Sequence, residues 1–416
     1  MSSTPSVMRS HVQATLHIPE SSQERRSARS SADTALKAAV WFWFGVTVIG
    51  QLLFAFAVAS FYGMAAVRGT SAAAWRKHFT HGYVPGDTLG NSAIVIHLVS
   101  AVIVILAGVI QLIPKIRERA PSLHRWNGRL YMVTAFTVSL AGLYMTWIRG
   151  SVGDLPQHVG SSGMAVLIML CAVMALRYAL LRDFKTHRRW ALRLYLVVSA
   201  SLFIRAALFL SFFLNRGPFG FDPVTFSGPF LTFIAFAQYL VPLAILEIYL
   251  RAQDRGGAPG RLVLAAGLLV LTVALGAGIF VVTMGIWLPN ITQAYDSRKS
   301  ITDTLYKTIA SSGVEEAVKQ YRDFKTLVPA TYNFDESELN SLGYQLIQAR
   351  KFKDAIRIFQ LNVEAYPRSS NTYDSLGEAY MNDGDKALAI ANYRRALELN
   401  RKNRGAAAML LKLGAP

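Results

Sequence analysis

Cysteine is almost absent from this chain: among 416 residues there is one, Cys171. A single thiol excludes a disulfide framework, a CxxCH haem-attachment site and a cysteine-based zinc site. Charge is also scarce, at 16% of residues, and the acidic sign is the scarcer: 25 Asp and Glu stand against 43 Lys and Arg, for a formal net charge of +18. Apolar residues fill the difference. The chain is 52% hydrophobic with a mean hydropathy of +0.31, which excludes an ordinary soluble protein and identifies one embedded in a lipid bilayer.

Seven apolar runs are long enough to cross a hydrocarbon core, which takes roughly 20 helical residues. They lie near residues 39–66, 92–114, 129–149, 160–181, 191–214, 230–250 and 262–288. The stretch before them, 1–37, is Ser-rich, polar and basic, and is expected to be a disordered cytoplasmic tail rather than a signal peptide, with no role for His11 or His17. Basic residues resist translocation, so their distribution orients the spans. They crowd the N-terminal tail, the turn after span two (Lys115, Arg117, Arg119, Arg125, Arg129), the turn after span four (Arg182, Lys185, Arg188, Arg189, Arg193) and the turn after span six (Arg251, Arg255, Arg261). The opposite loops hold only Arg68, Arg76, Lys77 and Arg216, with Arg149 at a border. The expectation is a multi-pass inner-membrane protein with its N-terminus in the cytoplasm and its C-terminus outside. The positive charge is therefore a topology signal and not a footprint for nucleic acid.

After Pro289 the composition turns mixed-charge and helical, marking a separate periplasmic domain over 290–416. "LGYQLIQARKFKDAIRIFQLNVEAYP" (342–367) precedes "LGEAYMNDGDKALAIANYRRALELNR" (376–401) by one repeat of the length typical of tetratricopeptide units. Leu342 and Gly343 match Leu376 and Gly377, Ala355 matches Ala389, and Phe359 matches Tyr393; a fainter copy over 304–324 carries Gly313, Ala317 and Tyr321. These positions resemble the tetratricopeptide consensus, which implies stacked helix pairs and a surface for a protein or peptide partner. Arg401 stands where that consensus usually has proline, so the last repeat is expected to run straight into the terminal helix. The fold class is therefore all-α: a seven-span bundle over 38–289 followed by a helical repeat domain. The same domain could instead serve as a solubilising cap or a homodimer contact.

Within the spans a second repetition appears. "HRWNGRLYMV" begins at His124 and "HRRWALRLYLV" at His187, and Arg125–Val133 overlays Arg189–Val197 without a gap on the skeleton Arg-Trp-x-x-Arg-Leu-Tyr-x-Val. Each copy follows a span with a histidine near its outer end, His97 in span two and His158 at the start of span four, so the core over about 92–214 is a duplicated hairpin. One reading is interfacial anchoring, with Trp126, Trp190, Tyr131 and Tyr195 at headgroup level. The other is ligation: histidines facing one another from different helices hold haem b iron through neutral imidazole nitrogens. That reading gives an outer pair, His97 with His158, and a cytoplasmic-side pair, His124 with His187, with Arg125, Arg129, Arg189 and Arg193 placed to neutralise propionates.

Arg205 lies inside span five, where a charge costs several kcal/mol unless it faces the bundle interior and finds a partner. A haem propionate or substrate carboxylate would serve, and Gln111 or a water is the plain alternative. Arg177 and Glu247 lie close enough to the cytoplasmic face for snorkelling or an ion pair. His78 and His81 form a His-x-x-His pair in an outer loop but lack a third metal ligand.

The layout is similar to the di-haem transmembrane cytochromes of the ascorbate-reductase type. "IHLVSAVIVILAGVIQLIPKIRERAPSLHRWNGRLYM" with "THRRWALRLYLVVSASLFIRAALF" resembles, over roughly 92–210, the bacterial membrane family named domain of unknown function 2306. That family's pattern falls here on His97, His124 to Arg129, His187 to Trp190 and Arg205, and His158 is not among its hallmarks. The family carries no established activity, so the resemblance implies the fold more than the function. The functional expectations are a b-type haem protein carrying electrons across the membrane, or a non-redox scaffold that displays the repeat domain.

Overall fold

The computed structural model describes residues 20–67, 84, 86–222, 225–296 and 298–415. His11, His17, His78 and His81 lie outside the described residues. The chain is helical almost throughout, as a bilayer requires of segments whose backbone polar groups must be satisfied internally. The membrane domain comprises α1 (Glu20–Val67), α2 (Thr88–Leu112), a short α3 (Pro114–Arg119), α4 (Pro121–Tyr144), α5 (Leu155–Leu180), α6 (Phe184–Val198), α7 (Ala200–Asn215), α8 (Pro229–Arg255) and α9 (Ala258–Val282). Six helices are long and apolar enough to span, and α6 with α7 makes a seventh crossing if that bent pair is one span. The tail expected to be disordered is helical from Glu20, so residues 20–37 prolong α1 beyond its apolar stretch.

Local chemistry sets the helix starts. Asp87, Asp154 and Asp183 each stand one residue before a helix and accept the backbone N–H three residues on, from Gly90, Gln157 and Thr186. Pro114 and Pro121 open α3 and α4, where their missing N–H costs no hydrogen bond. As a result α4 begins at Pro121, and the first histidine signature lies within its opening turns rather than ahead of them. His158, in a stretch polar enough for a loop, is likewise inside α5. Beyond Tyr144, α4 runs on as a π-helical turn, Met145–Gly150, which turns Arg149 onto Asp87 at 3.0 Å and Asn91 at 2.9 Å.

The α6–α7 pair is bent by 43° at Ser199. Ser199 Oγ donates to the Tyr195 carbonyl at 2.7 Å and accepts from Gln51 Nε2 on α1, so a side chain competes for the helix's own acceptor at the break. Residues of α2, α4, α5, α6, α7 and α8 share one core around Val104, Ala135, Cys171, Leu194 and Tyr239. α9 packs closely on α7, and a Cβ on Gly278 would meet the Ala206 carbonyl carbon at 2.8 Å.

Past a second π-helical turn (Thr283–Trp287) and α10 (Leu288–Tyr295), β1 (Lys299–Ser300) pairs in parallel with β2 (Tyr332–Asn333). The remaining helices come in pairs: α11 (Ile301–Ser312) with α12 (Val314–Leu327), α13 (Glu336–Gln348) with α14 (Phe352–Ala365), and α15 (Ser370–Asp383) with α16 (Lys386–Leu399), closed by α17 (Arg404–Lys412). Equivalent positions take equivalent roles, with Tyr321, Phe359 and Tyr393 all fully buried and Ala317, Ala355 and Ala389 beside them. Gly343 admits the Phe359 ring and Gly377 the Tyr393 ring. The chain does not run straight into the last helix: α16 stops at Leu399, and Asn403 caps α17 by accepting from Ala406 N at 3.0 Å. Arg404 reaches the Asn215 carbonyl at the end of α7, joining the repeats to the end of the bundle opposite the signatures.

Candidate functional site

Both signatures open a helix at the same end of the bundle, and the skeleton they share produces the same local geometry. In each, the second arginine lies over the tryptophan one turn before it: Arg129 over Trp126 at 4.6 Å, Arg193 over Trp190 at 4.8 Å. The tyrosine further along points inward in both. Tyr131 and Tyr195 are 5% and 2% exposed, and their hydroxyls are buried without a hydrogen-bond partner. Tyr131 packs on Gly108 of α2 and lies within electrostatic reach of Tyr195 and Cys171. The expectation that these tyrosines anchor at headgroup level is therefore corrected: they are core residues. Only Trp126, 67% exposed, fits the anchoring role, since Trp190 packs against the core.

His187 is half-buried, and its Nδ1 lies 2.8 Å from the Ala175 carbonyl of α5. That bond places the proton on Nδ1 and leaves Nε2 as an acceptor, the tautomer that binds a metal. His97 repeats the arrangement, Nδ1 lying 3.1 Å from the Val138 carbonyl of α4. His124 differs. Asn127, buried and absent from the sequence-based site, gives its amide protons to the Ala107 carbonyl (2.8 Å) and Gln111 Oε1 (2.9 Å). The Gln111 amide nitrogen is thereby turned toward His124 Nε2, 3.3 Å away, and His124 Nδ1 is left buried with no partner. Asn127 and Gln111 had one signal in the sequence, that of amides set in an apolar helix pair.

The structure brings His124 and His187 within electrostatic reach of each other. Among the described residues His97 and His158 make no hydrogen bond or ring contact with each other. His97 is roughly 13 Å along α2 from its start, whereas His158 is only about 5 Å along α5. His158 Nε2 lies 3.2 Å from Ser151 Oγ, and its ring stands edge-on to Trp147.

Nor are all the arginines free for an anion: Arg189 binds both oxygens of Asp254 at 2.8 Å, and Arg193 Nε donates to Glu247 at 2.8 Å, tying α6 to α8. Arg205 donates to the Ser201 carbonyl at 2.6 Å, lies over Phe54 of α1 at 4.5 Å, and is within electrostatic reach of Tyr62 and His97. Gln111 serves the signature end instead and is not the partner of Arg205. Among the described residues no group of three or more His, Cys, Asp or Glu gathers as a metal site.

This duplicated hairpin is the part of the chain with a known likeness. Residues 94–241 match the family described as predicted membrane protein (DUF2306). The DUF2306 segment contains His97, both signatures and Arg205, and it ends within α8, short of the repeat domain. No curated protein and no solved structure matches the chain.

Proposed function

We propose that this integral membrane protein binds haem b between its two hairpins and passes electrons across the inner membrane, with the signature end in the cytoplasm. The observation that carries the reading is that His124 and His187, the leading residues of two copies of one signature, open helices at the same end of the bundle within electrostatic reach of each other. The residues fit such a group in two respects. His187 Nε2 is left as an acceptor by the bond from its Nδ1 to a backbone carbonyl, and His124 Nε2 is met only by the Gln111 amide at 3.3 Å, a contact that a ligated metal could replace. Were His124 to hold the iron through Nε2, Gln111 would give up that contact, and its carbonyl oxygen would keep the bond from Asn127. Arg125 makes no ion pair among the described residues and remains available for a carboxylate at the same end. Haem, when bound, supplies a one-electron couple. In this reading His97 and Arg205 form the opposite-end contribution, and His158 drops out of it.

The repeat domain is read as tetratricopeptide-type, presenting a surface to a protein or peptide outside the cytoplasm. The buried glycine–aromatic pairs Gly343–Phe359 and Gly377–Tyr393 support that reading. A non-redox scaffold is the second reading, favoured by the chain of amides from Ala107 to His124 and by the carboxylate partners of Arg189 and Arg193, which give those polar groups structural roles.

Purified protein decides between the two. The haem reading expects a stoichiometric pyridine haemochrome and a reduced-minus-oxidised Soret change, with His124→Ala and His187→Ala each removing the same chromophore as the double variant. Haem-free protein, or variants with unchanged spectra, would leave the scaffold.

A further inference from the structure

We propose that the cleft between the N-terminal extension of α1 and the α8–α9 turn binds the phosphate headgroup of an anionic phospholipid. The cavity measures about 350 Å³, enough for a phosphate with its glycerol, and is lined by Arg29, Asp33, Lys37, Tyr249, Gln253 and Arg261. Its back wall is built in. The Arg261 side chain is 7% exposed, donates to the Ala252 carbonyl at 3.1 Å and is ion-paired with Asp33, so its charge is spent within the fold. Arg29 and Lys37 are not matched in this way. They sit four residues either side of Asp33, on the same face of α1, are exposed, and make no ion pair among the described residues.

A third donor points to the same ligand. Gln253 Nε2 donates to the Tyr249 hydroxyl at 2.5 Å, which occupies that oxygen as an acceptor and leaves its proton to give. Two cations and a hydroxyl donor suit a group that only accepts, and a phosphate monoanion or dianion is such a group. The depth selects a lipid source. Lys37 is the last charge before the apolar stretch of α1, Leu36 beside it is buried, and Trp41 one turn further is 60% exposed. A headgroup held by Lys37 therefore leaves its acyl chains against the apolar flank of α1, at the level where basic residues meet anionic lipid. This site does not involve the histidines and stands apart from the haem reading.

The test uses the full-length protein in neutral detergent, with bound lipid counted by native mass spectrometry during titration with phosphatidylglycerol or phosphatidylcholine. Phosphatidylglycerol is expected to bind in preference. Arg29→Gln and Lys37→Gln should each weaken it about fivefold and together roughly 30-fold, at about 1 kcal/mol per cation. The charge-retaining pair Arg29→Lys with Lys37→Arg should keep the binding, and Tyr249→Phe should lose part of it. Equal binding of the two lipids, or a double Gln variant that still binds like the parent, overturns the site. Displacement of the lipid by millimolar inorganic phosphate would assign the cleft to a soluble anion and overturn the lipid.

Discussion

Adding one methyl group at Gly343 tests the packing rule of the repeat domain directly. A Cβ there would lie 2.6 Å from Cε1 and from Cε2 of Phe359, whereas carbon atoms in contact are separated by about 3.5–4.0 Å. Phe359 is fully buried and set edge-on to Tyr344 at 5.3 Å, so the ring has no solvent to retreat into. Overpacking of this kind costs about 1–3 kcal/mol, against a helix-propensity gain of up to ~1 kcal/mol for replacing glycine by alanine. Gly405, near the start of α17, supplies the reference, because its Cβ would meet only ordinary contacts at 3.4 and 3.5 Å.

The core around Leu305, Leu342 and Phe359 is drawn wholly from residues 301–379, which licenses a fragment from Arg298 to Pro416 as the test protein. The fragment is expected to be soluble and helical by circular dichroism. In urea titration, Gly343→Ala should fall about 1–3 kcal/mol below Gly405→Ala, a difference of several degrees in Tm. Gly377→Ala, whose Cβ would lie 2.9 Å from Tyr393, should fall between them. Combining Gly343→Ala with Phe359→Leu should recover part of the loss through coupling between touching sites. A Gly343→Ala protein as stable as Gly405→Ala would refute the claim that glycine is there to admit the ring, and an unfolded fragment would refute the domain boundary.

Two further outcomes follow from charge. A reporter that fluoresces only in the cytoplasm should be bright in the Arg251–Arg261 loop and dark after Pro416; the reverse would invert the proposed topology. In the repeat fragment, burial first and then the neighbouring Glu378 push the Asp374 carboxyl up to about 6, against the Asn403 hydrogen bond that lowers it. The folded state then binds more protons than the unfolded state, so stability should decline as pH rises from about 4 to about 6. Asp374→Asn should flatten that decline in denaturant titrations run across the window, and an unchanged slope would show that Asp374 is not its source.

Much of the architecture was legible in the residues alone because two constraints act locally. A bilayer core forces a crossing to be an apolar helix, so each run marked one helix or, for the fifth, the α6–α7 pair, although α4, α5 and α6 begin five to eight residues ahead of their runs. Repeat helices need small residues and an aromatic at fixed spacing, so Gly343 could be matched with Gly377 and Phe359 with Tyr393 from the residues alone, and the structure then seated each ring on its own repeat's glycine. The duplicated signature was equally plain, including its arginine and tryptophan one turn apart. What each side chain meets was decided only by the packing of the helices. Tyr131 and Tyr195 look like interfacial anchors until their helices turn them into the core, and the fifth span looks continuous until Gln51 of α1 meets Ser199. The partners of Arg189, Arg193 and Arg261 lie many residues away on other helices, and so do the carbonyls that hold His97 and His187. Apolar periodicity records that a residue is buried or lipid-facing; it does not record which neighbour the rotation and offset of another helix will bring, and that neighbour sets each polar group's chemistry.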